Sequence, residues 1–155
     1  MRRKDREVTG VNELKQIIDL CKVCRIGLED QNGIYIVPMN FGYVVENDQF
    51  VLFFHSANEG RKITALKEHR KVCFEMDCSH DLIHADSACQ YGYLYQSIIG
   101  TGQVVFLDHP EDKKMALSAI MKHQTDRDFL FNDQEVKKVT VFKIVVQNCT
   151  GKYCL

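Results

Sequence analysis

The stretch Phe53-Phe54-His55-Ser56-Ala57-Asn58-Glu59-Gly60-Arg61-Lys62 holds the residues best suited to chemistry. An apolar strand pattern ends in His55-Ser56, a short polar loop follows, and Gly60-Arg61-Lys62 opens a helical pattern. A hydroxyl, unbonded backbone N–H groups at a helix start and two adjacent cations make a seat for a phosphate. Cations at a helix start oppose the helix dipole, so an anion nearby explains Arg61 and Lys62 better than solvation does. The sequence contains neither G-x-x-x-x-G-K-[ST] nor G-x-G-x-x-G after a strand, so the phosphate is not that of a P-loop or Rossmann nucleotide.

Other candidates carry weaker signals. His55 closes a strand, where a satisfied structural histidine competes with an active-site position. His123 closes a helical pattern and is expected to complement its C-terminal dipole. Pro38 lies inside a strand pattern and removes one ladder hydrogen bond, which marks an edge or a bulge. Cys21-x-x-Cys24 is the one tight cysteine pair, but no second pair or H-x-x-x-H accompanies it. A zinc site there is the least favoured reading and no metal is expected. Seven cysteines, an odd number, fit reduced thiols in a cytoplasmic protein better than a disulfide framework.

The elements that must position these residues follow from periodicity. Asn12 is expected to cap a helix with Leu14, Ile17, Ile18 and Cys21 on its apolar face. Val23 to Leu28, Ile34 to Val45 and Phe50 to His55 read as strands, joined at Asn32-Gly33 and at Asn47-Asp48 as an antiparallel meander. A helix from Gly60 to His69 and a strand from Lys71 to Met76 follow, then a polar loop from Asp77 to Ser87. Tyr91 to Leu107 is the longest β-like run, and Gly100 and Gly102 within it predict a bend, a bulge or a ligand close to the backbone. Pro110 opens a third helix with Glu111 and Asp112 in its first turn. A polar link from Gln124 to Glu135 leads to a last strand, Val139 to Val146. Six hairpin-linked strands and three helices predict a mainly β fold, a six-stranded antiparallel barrel with flanking helices.

The bulk properties agree. A chain of 155 residues with 45% apolar content fits one domain over 1–155 with a real core. A net charge of -1 gives no electrostatic reason to expect a nucleic-acid or membrane partner. The basic opening Met1-Arg2-Arg3-Lys4 has no apolar segment behind it and reads as a solvated arm.

Taken in order, several segments resemble the flavin-binding split-barrel family that includes pyridoxamine 5'-phosphate oxidase, and within it the nitroimidazole-resistance branch. The resemblance rests on 21-CKVCRIGL-28, 35-YIVPMNFGY-43, 54-FHSA-57 with Gly60-Arg61-Lys62, 72-VCFE-75, 95-YQSIIGTG-102 and 120-IMKH-123. It spans nearly the full length. It implies a split β-barrel that binds FMN, with FAD equally able to use the phosphate seat, and a homodimer with flavin sites at the interface. It implies Ser56, Arg61 and Lys62 as phosphate ligands. It sets Pro38, Met39, Asn40 and Phe41 along the isoalloxazine, and Ser97 where the oxidase branch uses a glutamine that touches the flavin. It also puts His55 beside the substrate, as a cofactor contact and the one candidate proton donor. The chain lacks the C-terminal arginine and histidine set of the oxidase branch, so vitamin B6 oxidation is not expected.

Two functions of different class follow. One is a reductase of small planar acceptors such as nitroimidazoles, taking hydride from NADH or NADPH. The other is a carrier or sensor of flavin or haem without turnover, with His55, His80 or His84 as an axial ligand. The visible spectrum of the purified protein separates them.

Overall fold

Period-two strands dominate the chain, and they pair into one sheet that curls into a split barrel. The computed structural model describes residues 3–154. In chain order the elements are β1 (Glu7–Val8), α1 (Val11–Leu20), β2 (Cys24–Asp30), β3 (Gly33–Met39), β4 (Gly42–Glu46), β5 (Gln49–Ser56) and α2 (Arg61–Glu68). There follow β6 (Lys71–Ile83), β7 (Gly92–Leu107), α3 (Pro110–Thr125), α4 (Asp133–Lys137) and β8 (Thr140–Cys154). The strand order is β3-β2-β6-β7-β8-β5-β4, with β1 added on β8, and every pairing is antiparallel. The barrel is therefore as the sequence predicts, but the strand count is eight.

One extra strand is β1, and the other arises at Asn40-Phe41, where the run Ile34 to Val45 breaks into β3 and β4. These two strands stand at opposite ends of the order, so the expected meander is two hairpins instead. Phe41 causes the break. Its ring is fully buried, 6.3 Å from that of Phe54, which pulls the chain into the core between two strands. The Asn47-Asp48 turn has φ of 50° and 61°, the left-handed pair of a two-residue hairpin. At the β2–β3 hairpin the turn residues are Gln31 and Asn32, and Gly33 already pairs with Asp30.

Several boundaries also move. α1 begins at Val11 with Gly10 at its N-cap, so Asn12 lies inside the helix. β6 runs through the predicted loop as far as Ile83, with an irregularity after Cys78 and Ser79 at φ 58°. The polar link contains α4, which Asn132 and Glu135 start with a reciprocal capping box. β8 continues past Val146 to Cys154. Of the basic opening, Met1 and Arg2 lie outside the described residues, and Arg3 pairs with Asp5 at 2.6 Å. Among the described residues no helix is long and apolar enough to cross a membrane.

Burial explains the apolar run of β5. Phe50, Leu52 and Phe54 face the barrel interior with Ile26, Phe74, Ile98, Val104 and Phe142, and α1 and α2 plug this core with Ile17, Ile18, Ile63 and Leu66. Val51 and Phe53 face outward but are covered by Ala116, Leu117 and Ile120 of α3. A strand buried on both faces loses its polar alternation. Gly42 lets α3 lie close: a Cβ there would come within 2.4 Å of the Ala119 carbonyl oxygen. Gly100 has a packing role too, since a Cβ would meet the Phe74 ring at 2.4 Å, and the register shift falls between Thr101 and Gly102.

Candidate functional site

β5 delivers Ser56 and His55 to one end of the barrel on opposite faces. Ser56 continues the inward row of Phe50, Leu52 and Phe54, and His55 continues the outward row of Val51 and Phe53. The residue after next leaves the sheet, and the loop is pinned where Thr140 Oγ1 donates to Asn58 Oδ1 at 3.0 Å. Gly60 then turns the chain into α2 at φ +131°, a conformation that a side chain would strain. The carbonyl of Gly60 accepts from the amides of Ile63 and Thr64, while the first N–H groups of α2 have no helical acceptor.

Ser56 is 5% exposed, the one buried polar or charged residue among the described residues. Its Oγ and the Tyr35 hydroxyl are the buried side-chain polar atoms without a hydrogen-bond partner among the described residues. Such an atom costs about 1–3 kcal/mol when left unsatisfied. An unpaired hydroxyl leading into an open helix start is what an absent anion would leave behind. Lys62 makes no hydrogen bond or ion pair among the described residues, and its charge reaches His55. Partial burial of the His55 ring, and then that charge, lower its pKa from the ordinary value. His55 is thus a neutral imidazole near pH 7.

Arg61 is differently engaged. Its Nε donates to Asp30 Oδ2 at 2.6 Å and its second nitrogen to Oδ1 at 3.0 Å. The guanidinium also lies 3.9 Å from the Tyr35 ring centroid. The pair links α2 to the β2–β3 hairpin. The hydrogen bond from Arg61, and then the Asn32 amide, hold the Asp30 carboxyl below its ordinary range. Of the predicted phosphate ligands, Ser56 and Lys62 are uncommitted and Arg61 already has a counterion.

The predicted isoalloxazine strand is only partly available. Pro38 sits on β3, the edge of the sheet, opposite Arg25, and is exposed. Met39 is buried. Asn40 donates to the Lys22 carbonyl at 3.0 Å and the Gln124 amide at 3.3 Å. The ring of Phe41 is core and its carbonyl accepts from Gln124 Nε2 at 2.9 Å, so neither group of Phe41 stands free. Ser97 lies on the outward face of β7 between Asp77 and Lys152, with Ile98 beside it pointing inward. It is ten residues along β7 from Leu107, which shares a row with Val141 and His55. Within one chain, Ser97 is not brought to Ser56.

His80 and His84 lie at the β6–β7 tip, with His80 Nε2 3.0 Å from Asp77 and His84 near the Tyr91 ring. His123 Nε2 donates to the Cys21 carbonyl at 2.7 Å, and its ring lies 4.6 Å from that of Phe41. Burial holds its pKa below the ordinary value, so it serves α3 as a hydrogen-bonded neutral ring rather than as a cation on the dipole. Cys24 is fully buried. Among the described residues no cluster of His, Cys, Asp or Glu could hold a metal ion.

Sequence reasoning missed one cavity, of about 640 Å³, lined by Lys15, Asp19, Lys22, Tyr43, Lys122 and His123 among others. Tyr43 donates to Asp19, and burial followed by that bond pushes its pKa up to about 12. The lysines there already have partners: Asp19, the His123 carbonyl and Asp128. No sequence signal groups these residues, which come from three separate elements.

The model of the family described as pyridoxamine 5'-phosphate oxidase matches residues 11–153. The chain is similar to the structure of a protein provisionally assigned to 5-nitroimidazole antibiotic resistance from Bacteroides thetaiotaomicron. Identity is 36% and the TM-score 0.82, over 95% of this chain and 86% of that one. It shares its fold with a flavocytochrome of Azotobacter vinelandii, at 18% identity and TM-score 0.81, over 100% of this chain and 72% of that one. A FAD- and haem-binding protein of Mycobacterium smegmatis has the same fold, at 16% identity and TM-score 0.80, over 96% and 73% of the two chains. No curated protein matches the sequence.

Proposed function

The chain belongs to the pyridoxamine 5'-phosphate oxidase family, and from that premise we propose that it is a flavin-dependent oxidoreductase, reducing small planar acceptors of the nitroimidazole type. The observation that carries the reading is Ser56: a hydroxyl nine-tenths buried, beside an open helix start and Lys62, both side chains without a hydrogen-bond partner among the described residues. Those groups fit the phosphate of FMN, or the equivalent phosphate of FAD.

A bound flavin would supply the redox chemistry, taking hydride from a nicotinamide donor and passing electrons to the acceptor. The protein's own residues do the rest. Ser56 donates a hydrogen bond to the phosphate, and Lys62 and the first amides of α2 neutralise its charge. Arg61 holds the β2–β3 hairpin against this seat through Asp30. His55, kept neutral, presents a ring N–H toward the substrate side and passes protons in from solvent.

The assembly belongs to the same reading. Ile34 is 79% exposed, Ile36 67% and Ile99 56%, all on the outward face of the sheet. Leu82 and Tyr93, a cross-strand pair, extend this apolar surface along the β6–β7 hairpin. A second copy covering it forms a homodimer, with more than roughly 2,000 Å² buried in total, in the obligate range.

The test is direct. Protein reconstituted with FMN, FAD or haem is purified and its visible spectrum recorded. It is then given NADH or NADPH and a nitroimidazole under anaerobic conditions. Retained flavin bands with consumption of nicotinamide and nitro compound support the proposal. Flavin without turnover makes it a carrier, and a Soret band with no flavin overturns it.

A further inference from the structure

The Cys21-x-x-Cys24 spacing suggests a pair, whose members lie on different elements. Cys21 caps the C-terminus of α1, while Cys24 starts β2 and points into the barrel core. The sulfur that approaches Cys21 comes from β6. The backbone N–H of Cys21 donates to the Ile17 carbonyl at 3.2 Å, and Cys78 Sγ reaches that same carbonyl oxygen at 4.0 Å. Cys78 belongs to the inward row of β6 after Val72, Phe74 and Met76, and packs against the same core as Cys21. Both are free thiols, Cys21 buried and Cys78 half-buried.

The backbone beside Cys78 is irregular. The β6–β7 register shifts immediately after it, and Ser79 takes φ 58° with its Oγ 3.7 Å from the Cys78 sulfur. The bulge breaks the ladder beside Cys78, which is half-buried where Cys21 is buried. Burial first, and then the neighbouring Cys78 thiol, raise the pKa of Cys21. Cys21 is therefore protected from direct oxidation and Cys78 is the point of entry.

We propose that Cys21 and Cys78 form a thiol modification site, oxidised by hydroperoxides to an intramolecular disulfide that ties α1 to β6. In the first step the Cys78 thiolate attacks hydrogen peroxide. The S–O bond forms, the O–O bond breaks, and hydroxide leaves a sulfenic acid. In the second step Cys21 gives up its proton and its sulfur attacks Cys78. The S–S bond forms, the S–O bond breaks, and the oxygen leaves as water. Two thiols are oxidised and one peroxide is reduced to two waters. The second step is favoured by proximity, which compensates for the reluctance of Cys21 to ionise. The site stands on geometry outside the Ser56 region and does not depend on the flavin reading.

The test is peptide mapping of the full chain after hydrogen peroxide treatment, with remaining thiols alkylated before digestion. A Cys21–Cys78 peptide lighter by two hydrogens is expected, lost again after dithiothreitol. Cys89→Ser, which changes an exposed thiol, should leave that cross-link in place. Cys21→Ser should instead accumulate a Cys78 sulfenic acid that dimedone traps. The inference is overturned by Cys21 remaining alkylatable while Cys78 is oxidised, by a Cys21–Cys24 bond, or by cross-links between molecules alone. Should the Cys21→Ser variant fail to fold, the map of the unmodified chain decides by itself.

Discussion

Ser56 and Ser97 stand at opposite ends of the β5–β8–β7 ladder. Ser56 pairs with Thr140, one step from the row of Val141 and Leu107, and Ser97 lies ten residues further along β7. At ordinary strand rise that is roughly 33 Å of chain. If both serines touch one flavin, they come from different subunits. Charging the outward face should separate them: Ile36→Glu with Ile99→Glu is expected to give a monomer by light scattering that no longer retains flavin. A monomer that binds flavin as tightly as the parent would count against shared sites.

Ser56→Ala should divide stability from binding. The hydroxyl is buried without a partner among the described residues, so its removal leaves the apoprotein as stable or more so, by up to about 1 kcal/mol. Flavin affinity should fall, since a hydrogen bond to a charged group is worth about 1.5–3 kcal/mol, roughly ten- to a hundredfold. Chemical denaturation and fluorescence quenching read the two effects. Equal affinity in the variant would place the phosphate elsewhere.

Arg61 and Lys62 are adjacent in sequence but should respond differently. Lys62→Ala is expected to weaken flavin binding at least about tenfold, the loss of one charge-assisted bond. Arg61→Ala should cost less affinity, because its guanidinium already holds Asp30. Asp30→Asn then tests the difference: releasing Arg61 should leave affinity unchanged or raise it. If the Arg61 variant loses binding as strongly as the Lys62 variant, Arg61 must leave Asp30 for the ligand.

His123 sets a pH dependence whose sign follows from its lowered pKa. Above the ordinary value near 6.5 both folded and unfolded states are neutral, and it contributes nothing. As pH falls through that value the unfolded chain takes up a proton that the fold still refuses, so stability drops. The loss levels off once pH passes below the folded pKa. His55 acts in the same direction. Melting temperatures between pH 7.5 and pH 5, compared with those of His123→Gln, should show a shallower slope in the variant, because glutamine takes up no proton while still able to donate to the Cys21 carbonyl. An unchanged slope would remove His123 as the cause.

His55→Ala probes the substrate side. It should lower turnover strongly while flavin content stays near that of the parent protein. Parallel loss of flavin and activity would make His55 a cofactor ligand, and no change in either would leave it a structural residue at a strand end.

Local signals in the sequence located β2, β5, β7 and the first part of β8, the hairpin at Asn47-Asp48, the helix that starts at Pro110 and the strand-to-helix turn from Ser56 to Arg61. Strand alternation and turn chemistry are properties of neighbouring residues, so they survive without the fold. Alternation likewise put His55 and Ser56 on opposite faces, as they are. α4 was also legible, since Asn132 and Glu135 stand at capping-box spacing, though the polar link around it hid the signal. Only the tertiary structure decided how long-range neighbours share the side chains. Phe41 left its strand because the core beside Phe54 offered more burial than the sheet. Arg61 met Asp30 because α2 packs on the β2–β3 hairpin. Cys21 drew close to Cys78 because β6 passes beneath α1, whose last turn Cys21 caps. Each of these contacts joins residues distant in sequence, and spacing along the chain carries no record of them.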